Sequence, residues 1–209
     1  MLKLYNFFRS GTSYRLRIAL NLKGLVYDYV AVDLRNDEHL GAAFKALNPQ
    51  GLVPALVDGD QILIQSPAII EYLEETHPEP PLLPKDPIAR AKVRALADII
   101  ACDIHPLNNV GPLRYLKNEM HQEQSAIDAW YHHWVRSGFE ALEALVRPAP
   151  YAFGAEVTLA DVFLVPQVYN ARRLKVPLDA FPKIVAIEAA CLALAAFDRA
   201  RPEKQPDAE

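Results

Sequence analysis

The residues best suited to chemistry lie in one stretch near the start of the chain, FRSGTSYRLRIAL (residues 8–20). Ser10, Thr12 and Ser13 place three hydroxyls around Gly11, and Arg9, Arg15 and Arg17 add three cations. The stretch follows a short strand-like run and leads into apolar residues at helical spacing, so the hydroxyls mark a helix start. Such a start offers unpaired backbone N–H groups and the positive end of the helix dipole, which can hold an anion or a thiolate. A plain cap by Ser13 or Thr12 explains the same residues, and no phosphate-loop motif accompanies them. Taken alone, the loop reads as a cap.

A second helix start, Gln65-Ser66, follows a strand in the same region, with Val53-Pro54 opening a short strand between the two. Two helix starts at one sheet edge match where open α/β folds bind ligands. Val53-Pro54 is either an edge-strand start or a backbone held for an external partner. A protein nucleophile is harder to find. Cys102 and His105 are spaced to meet on a helix, but LADIIACDI suits a small buried residue, and such a thiol is inert. His132 and His133 point in different directions and have no third ligand, so no metal set is expected. Pro106 should kink its helix near His105, Asn108 and Asn109, polar groups that face either the first domain or solvent. Arg172 and Arg173 suit the end of a helix dipole. The residues alone describe an anion-binding cleft without its own nucleophile.

The elements that must position these groups follow from the pattern. Leu2–Asn6 reads as a strand, Ser13–Lys23 as a helix stopped by Gly24, Tyr27–Leu34 as a strand and Asp37–Leu47 as a helix. Two short strands flank the turn Asp58-Gly59-Asp60, and Ser66-Pro67 opens a third helix with serine as N-cap. This is a compact α/β unit over residues 1–80, followed by a proline-dense linker at 81–87. Residues 88–209 read as all helix, with segments at Ile88–Asn109, Glu123–Val146, Thr158–Arg173 and Phe181–Ala195. Thr158 and Asp161 have capping-box spacing. The polar tail RPEKQPDAE is expected to fray.

The 209 residues are 51% hydrophobic and 23% charged with net charge -4, which argues against nucleic acid as the main partner. Two distant cysteines do not make a disulfide framework and suit a reduced cytoplasmic protein. MLKLYNFF lacks the pattern of a secretory signal, and no apolar run reaches membrane-spanning length, so no membrane association is expected.

In order along the chain, FRSGTSYRLRIAL, ALNPQGLVPAL, LIQSPAIIEYLEE, IHPLNN, TLAD and VPQVYNARRLKV resemble the zeta-class glutathione transferases, the family that includes maleylacetoacetate isomerases. The family signature reads Ser-Ser-Cys-x-Trp-Arg-Val-Arg-Ile-Ala-Leu. Ser10 and Arg15 fit it, while Gly11, Thr12 and Tyr14 replace the second serine, the cysteine and the tryptophan. This Ser-Gly-Thr version is closer to the bacterial maleylpyruvate isomerase branch.

The resemblance implies a glutathione transferase fold: a thioredoxin-like α/β N-terminal domain and an all-α C-terminal domain, in a cytoplasmic homodimer that uses glutathione. It implies that Gln65 and Ser66 hold the γ-glutamyl end and that Val53, beside a cis-Pro54, pairs with the cysteinyl part. His39 and Gln50 approach the glycyl end, and His105 and Asn109 complete the wall. Ser10, Gly11 and Thr12 face the thiolate, with Thr12 preferred over Ser10 for direct contact. Arg9 and Arg173 grip the carboxylates of a dicarboxylate keto acid. The nucleophile is then borrowed: the thiolate adds to the cis double bond, the bond rotates, and expulsion leaves the trans isomer. The implied reaction is maleylacetoacetate to fumarylacetoacetate in tyrosine breakdown. The alternatives are maleylpyruvate in gentisate breakdown, small electrophiles such as α-halo acids, or a non-enzymatic dimerisation module.

Overall fold

The computed structural model describes residues 1–208. Strand β1 (Leu2–Asn6) buries Leu2, Leu4 and Asn6 on alternate positions, as a half-buried strand must. Helix α1 (Gly11–Leu22) follows and is buried on almost every side, so even Arg15 and Arg17 lie inside. Gly24 then turns the chain at φ 65°, a left-handed backbone that favours glycine. Strand β2 (Tyr27–Ala31) runs parallel to β1. Helix α2 (Ala42–Leu47) precedes β3 (Ala55–Asp58), the hairpin partner β4 (Gln61–Ile64) and helix α3 (Ser66–Thr76). The sheet order is β2-β1-β3-β4, with β3 antiparallel to both neighbours. Mixed sheet and flanking helices make the compact α/β unit expected from the pattern, with the thioredoxin-like form that the resemblance implies.

Several local expectations shift. The strand expected over Tyr27–Leu34 stops at Ala31, and the helix expected from Asp37 begins only at Ala42. Two short 3-10 turns, Leu34–Asn36 and Glu38–Leu40, fill the gap, because Asp37 has φ 56° and Gly41 is extended. Ser10 caps α1, accepting from Ser13 N, where Ser13 or Thr12 was the expected cap. Ser66 is the first residue of α3, and Gln65, at φ 68°, holds the cap position.

The chain separates into two compact units. The first joins residues 1–81 with residues 192–208; the second spans Leu82–Cys191. The proline-dense linker predicts one helical unit from 88 to 209, but α10 (Ala195–Ala200) packs on α1, and Asn21 Nδ2 donates to Ala196 O at 2.9 Å. The described part of the tail does not fray either: Asp207 and Ala208 pack on the first unit, while Glu209, the last residue of the expected tail, lies outside the described residues.

The second unit begins with α4 (Pro87–Asp98), capped by Asp86, which accepts from Ala89 N at 2.8 Å. A π turn over Ile99–Ile104 then leads into the short α5 (His105–Asn108), so Pro106 interrupts regular α structure as expected. Cys102 is exposed on this turn, not buried as its apolar surroundings suggested. Helix α6 (Val110–Asn118), absent from the sequence reading, precedes α7 (Gln124–Leu145). Helix α8 (Leu159–Arg173) is the core of the unit, followed by α9 (Pro182–Leu192). Its capping box forms: Asp161 accepts from Thr158 N at 2.8 Å and from Ala152 N at 2.7 Å. Burial pushes the Asp161 carboxyl and the nearby Cys191 thiol above their ordinary values. Among the described residues no helix is long and apolar enough to cross a membrane.

Candidate active site

Sheet register gathers three of the first unit's candidate segments at one end of the strands. Tyr5 pairs with Ala55 and Ala55 with Ile64. The chain leaving β1, the chain entering β3 and the chain leaving β4 therefore emerge side by side. They carry Arg9–Thr12, Val53-Pro54 and Gln65-Ser66. The Val53-Pro54 peptide is cis. Thr12 Oγ1 donates to Val53 O at 2.9 Å and shares a 2.9 Å hydrogen bond with Ser10 Oγ. Ser10 Oγ also accepts from Ser13 N at 3.2 Å.

This order of donors decides where the protons point. The Thr12 proton goes to Val53 O, so Thr12 can only accept from Ser10. The Ser10 proton is the one able to turn toward an incoming acceptor. Ser66 contributes a second open group: its hydroxyl is buried and has no hydrogen-bond partner among the described residues. A buried hydroxyl without a partner costs free energy, which an added ligand group at the α3 start would recover. Gln65 Nε2 donates to Gln50 Oε1 at 2.8 Å, joining the third loop to the second.

Asn48, a residue to which no motif assigns a role, shapes that second loop. Its amide donates to Leu52 O at 2.7 Å and accepts from Gln50 N at 3.1 Å. Gly51 brings His39 into the same cluster. A Cβ on Gly51 would meet His39 O at 2.9 Å, and its φ of 62° also favours glycine. Arg9 is exposed, with its guanidinium carbon 5.3 Å from the Phe8 ring centre and 5.9 Å from that of Phe7. Arg35 lies over the same two rings at 5.8 and 5.7 Å, a second cation that no motif had marked.

The structure thus brings Ser10, Gly11, Thr12, Val53, Pro54, Gln50, Gln65, Ser66 and His39 into one unit with Arg9. His105, Asn109 and Arg173 belong to the second unit. His105 is half-buried at the start of α5, and Asn109 caps α6 by accepting from Val110 N at 2.7 Å. Arg173 is exposed at the end of α8. Its charge acts on Tyr131, whose phenol burial pushes up to about 12 against the pull of that guanidinium.

Comparison with known proteins fits this arrangement. The family models "Glutathione S-transferase, N-terminal domain" and "Glutathione S-transferase, C-terminal domain" match residues 4–81 and 127–199. The chain belongs to the glutathione S-transferase family. Among its transferase relatives, a maleylpyruvate isomerase of Ralstonia sp is 58% identical over 99% of both chains. A maleylacetoacetate isomerase of Pseudomonas aeruginosa is 50% identical, covering 99% of this chain and 98% of the relative. Among solved structures, a holo maleyl pyruvate isomerase described as a bacterial zeta-class transferase superposes with a TM-score of 0.96 at 58% identity, covering 99% of this chain and 100% of that one. A maleylacetoacetate isomerase of Methylobacterium extorquens AM1 with bound malonate and glutathione reaches 0.95 at 37% identity over 99% of each chain.

Proposed function

We propose that this transferase is a glutathione-dependent cis–trans isomerase of maleyl keto acids, converting maleylacetoacetate to fumarylacetoacetate. The observation that carries the reading is the convergence of the Ser10–Thr12 hydroxyls, the cis Val53-Pro54 peptide and the unpartnered Ser66 hydroxyl at one end of the sheet. Ser66 and Gln65 suit the α-amino acid end of glutathione, with the α3 N-terminus supporting its carboxylate. The backbone of Val53 suits its cysteinyl amide, and Gln50 and His39 its glycyl end. His105 and Asn109 are proposed to complete the wall from the helical unit. When bound, glutathione supplies a thiolate that adds reversibly to the activated double bond.

The chain's own residues then hold charge and geometry. Ser10 O–H is proposed to donate to the sulfur while the α1 dipole favours its anion. Thr12, tied to Val53 O, keeps Gly11 and Ser10 in register with the chain that enters β3. Arg9 and Arg173 are proposed to hold the two substrate carboxylates, and an immobilised dicarboxylate leaves only the central bond free to rotate. The malonate bound by the Methylobacterium relative supports a carboxylate-binding site of this kind.

A second substrate has specific support. The Ralstonia relative, at 58% identity, is a maleylpyruvate isomerase, and Gly11-Thr12 departs from the maleylacetoacetate signature in the same direction. Rates on both keto acids, measured side by side with glutathione, test the proposal. Conversion of neither overturns it, and the ratio of kcat/KM values assigns the preferred substrate. The reading also carries a cytoplasmic homodimer, which sedimentation velocity checks through the mass of the sedimenting species.

A further inference from the structure

The end of the chain grips the backbone from which Arg9 and Ser10 project. Phe8 N donates to Asp207 Oδ2 at 3.0 Å, and the Tyr29 hydroxyl donates to Asp207 Oδ1. Arg17, fully buried on α1, donates through Nη2 to Phe8 O at 2.8 Å and through Nη1 to Asn6 Oδ1 at 2.9 Å. Its Nε is oriented by Ala200 O at 3.1 Å, so α10 sets the direction of the guanidinium. Phe7 O accepts from Ser10 N at 3.1 Å, which fixes the cap residue to the same two-residue segment. Ala208 packs on the cluster of Phe7, Phe8, Val32, Phe44 and Val53.

We propose that Asp207 is a positioning residue for the thiol-activating loop, holding Phe8 so that the Ser10 hydroxyl and the Arg9 guanidinium reach their reacting partners. The inference rests on the proposed function above. Both polar groups of the Phe8 backbone are held: the N–H by the tail carboxylate and the carbonyl by an arginine that the tail helix orients. A carboxylate accepting a backbone N–H makes a stronger bond than a neutral acceptor, and small displacements at a reacting group are costly. Released from Asp207, Phe8 N–H has water as its alternative, and the loop gains freedom one residue before Arg9. No contact of Asp207 with substrate or glutathione is required.

The test compares Asp207→Ala, Asp207→Glu and Lys204→Ala with the parent protein. Lys204 pairs with Asp198 on the tail surface and controls for general loosening. Two quantities are read: the pH titration of thiolate absorbance for bound glutathione, and kcat separately from the glutathione KM. Asp207→Ala is expected to raise the bound thiol pKa and lower kcat by about ten-fold, with the glutathione KM changed by less than about three-fold. Asp207→Glu should recover part of both, and Lys204→Ala should match the parent. Tyr29→Phe, which leaves the Phe8 contact in place, should give a smaller shift in the same direction and serves if Asp207→Ala does not fold. Unchanged thiol pKa and kcat in Asp207→Ala, or equal losses in Lys204→Ala, overturn the positioning role while the proposed function stands. A parent protein that neither binds glutathione nor lowers its thiol pKa overturns the function itself.

Discussion

At the scale of single residues, the two hydroxyls at the start of α1 are not equivalent, and kinetics can separate them. Ser10 can redirect its proton, whereas Thr12 has committed its own to Val53 O. Ser10→Ala is expected to lower kcat by about a hundred-fold, the scale of losing a preorganised donor to a developing anion. Thr12→Val should cost about ten-fold or less, because it loosens the loop without removing the donor. Equal losses, measured as kcat with saturating glutathione, would return Thr12 to direct contact. A second residue-scale expectation concerns acid stability. Hydrogen bonds from Arg35 hold the Asp33 carboxyl down at about 2, from an ordinary 3.8. The folded value is depressed, so this contribution is complete above the ordinary value and is lost as pH falls through about 2. Asp33→Asn should flatten the decline of the urea midpoint over that window, and added salt should shrink the difference, since the pair is exposed. The hydroxyl-rich loop, Gln65-Ser66 and Val53-Pro54 were legible from residue type alone. Which hydroxyl keeps a usable proton was not, because that depends on Val53 O, a backbone atom 41 positions away.

At the scale of elements, the helix–turn joint in the second unit is set by one glycine. A Cβ on Gly138 of α7 would lie 2.3 Å from Cγ1 and Cδ1 of Ile104, which is fully buried at the end of the π turn. Alanine gains about 1 kcal/mol in helix propensity over glycine, but overpacking costs about 1–3 kcal/mol. Ile104 has no exposed side to move toward, so the clash should win. Gly138→Ala is expected to lower the thermal midpoint, and Ile104→Val in the same chain should recover part of the loss; stabilisation by Gly138→Ala would contradict the close approach. The sequence marked the helices that flank this joint and the proline that breaks it. It did not mark α6 or the π turn, since apolar spacing does not distinguish a turn with one added residue from a regular helix.

At the scale of the whole molecule, the first unit is discontinuous, and its interior depends on residues from the far end of the chain. Arg17 reads in sequence as a surface or anion-binding cation. In the structure it is buried with its burial lowering the guanidinium pKa, and one of its acceptors, Ala200 O, lies 183 positions away. Polar composition hid the tail for the same reason: RPEKQPDAE carries no apolar repeat, yet Asp207 and Ala208 both find partners in the first unit. A fragment of residues 1–81 would leave Arg17 Nε without its acceptor and Tyr29 without Asp207. Such a fragment is expected to lose about 3–5 kcal/mol, the scale of removing one partner from a buried charge. Denaturant titration of the fragment, with and without a peptide of residues 192–208, measures this; a fragment as stable as the whole chain would refute it. The N-terminal family model stops at residue 81, where the second packed unit begins, but the C-terminal model runs on to residue 199, past the unit boundary after Cys191.

That discontinuity bears on how the chain is made. On a ribosome, β1, α1 and the rest of the sheet emerge first, while α10 is still to be synthesised. The pocket for Arg17 stays open until residue 200 has cleared the exit tunnel, whereas every partner within 82–191 is already available by then. The helical unit, second in order of synthesis, is therefore free to complete its packing before the sheet unit that precedes it. A nascent chain stalled before α10 should acquire protease resistance in the helical region while the segment around Phe8 remains open to cleavage.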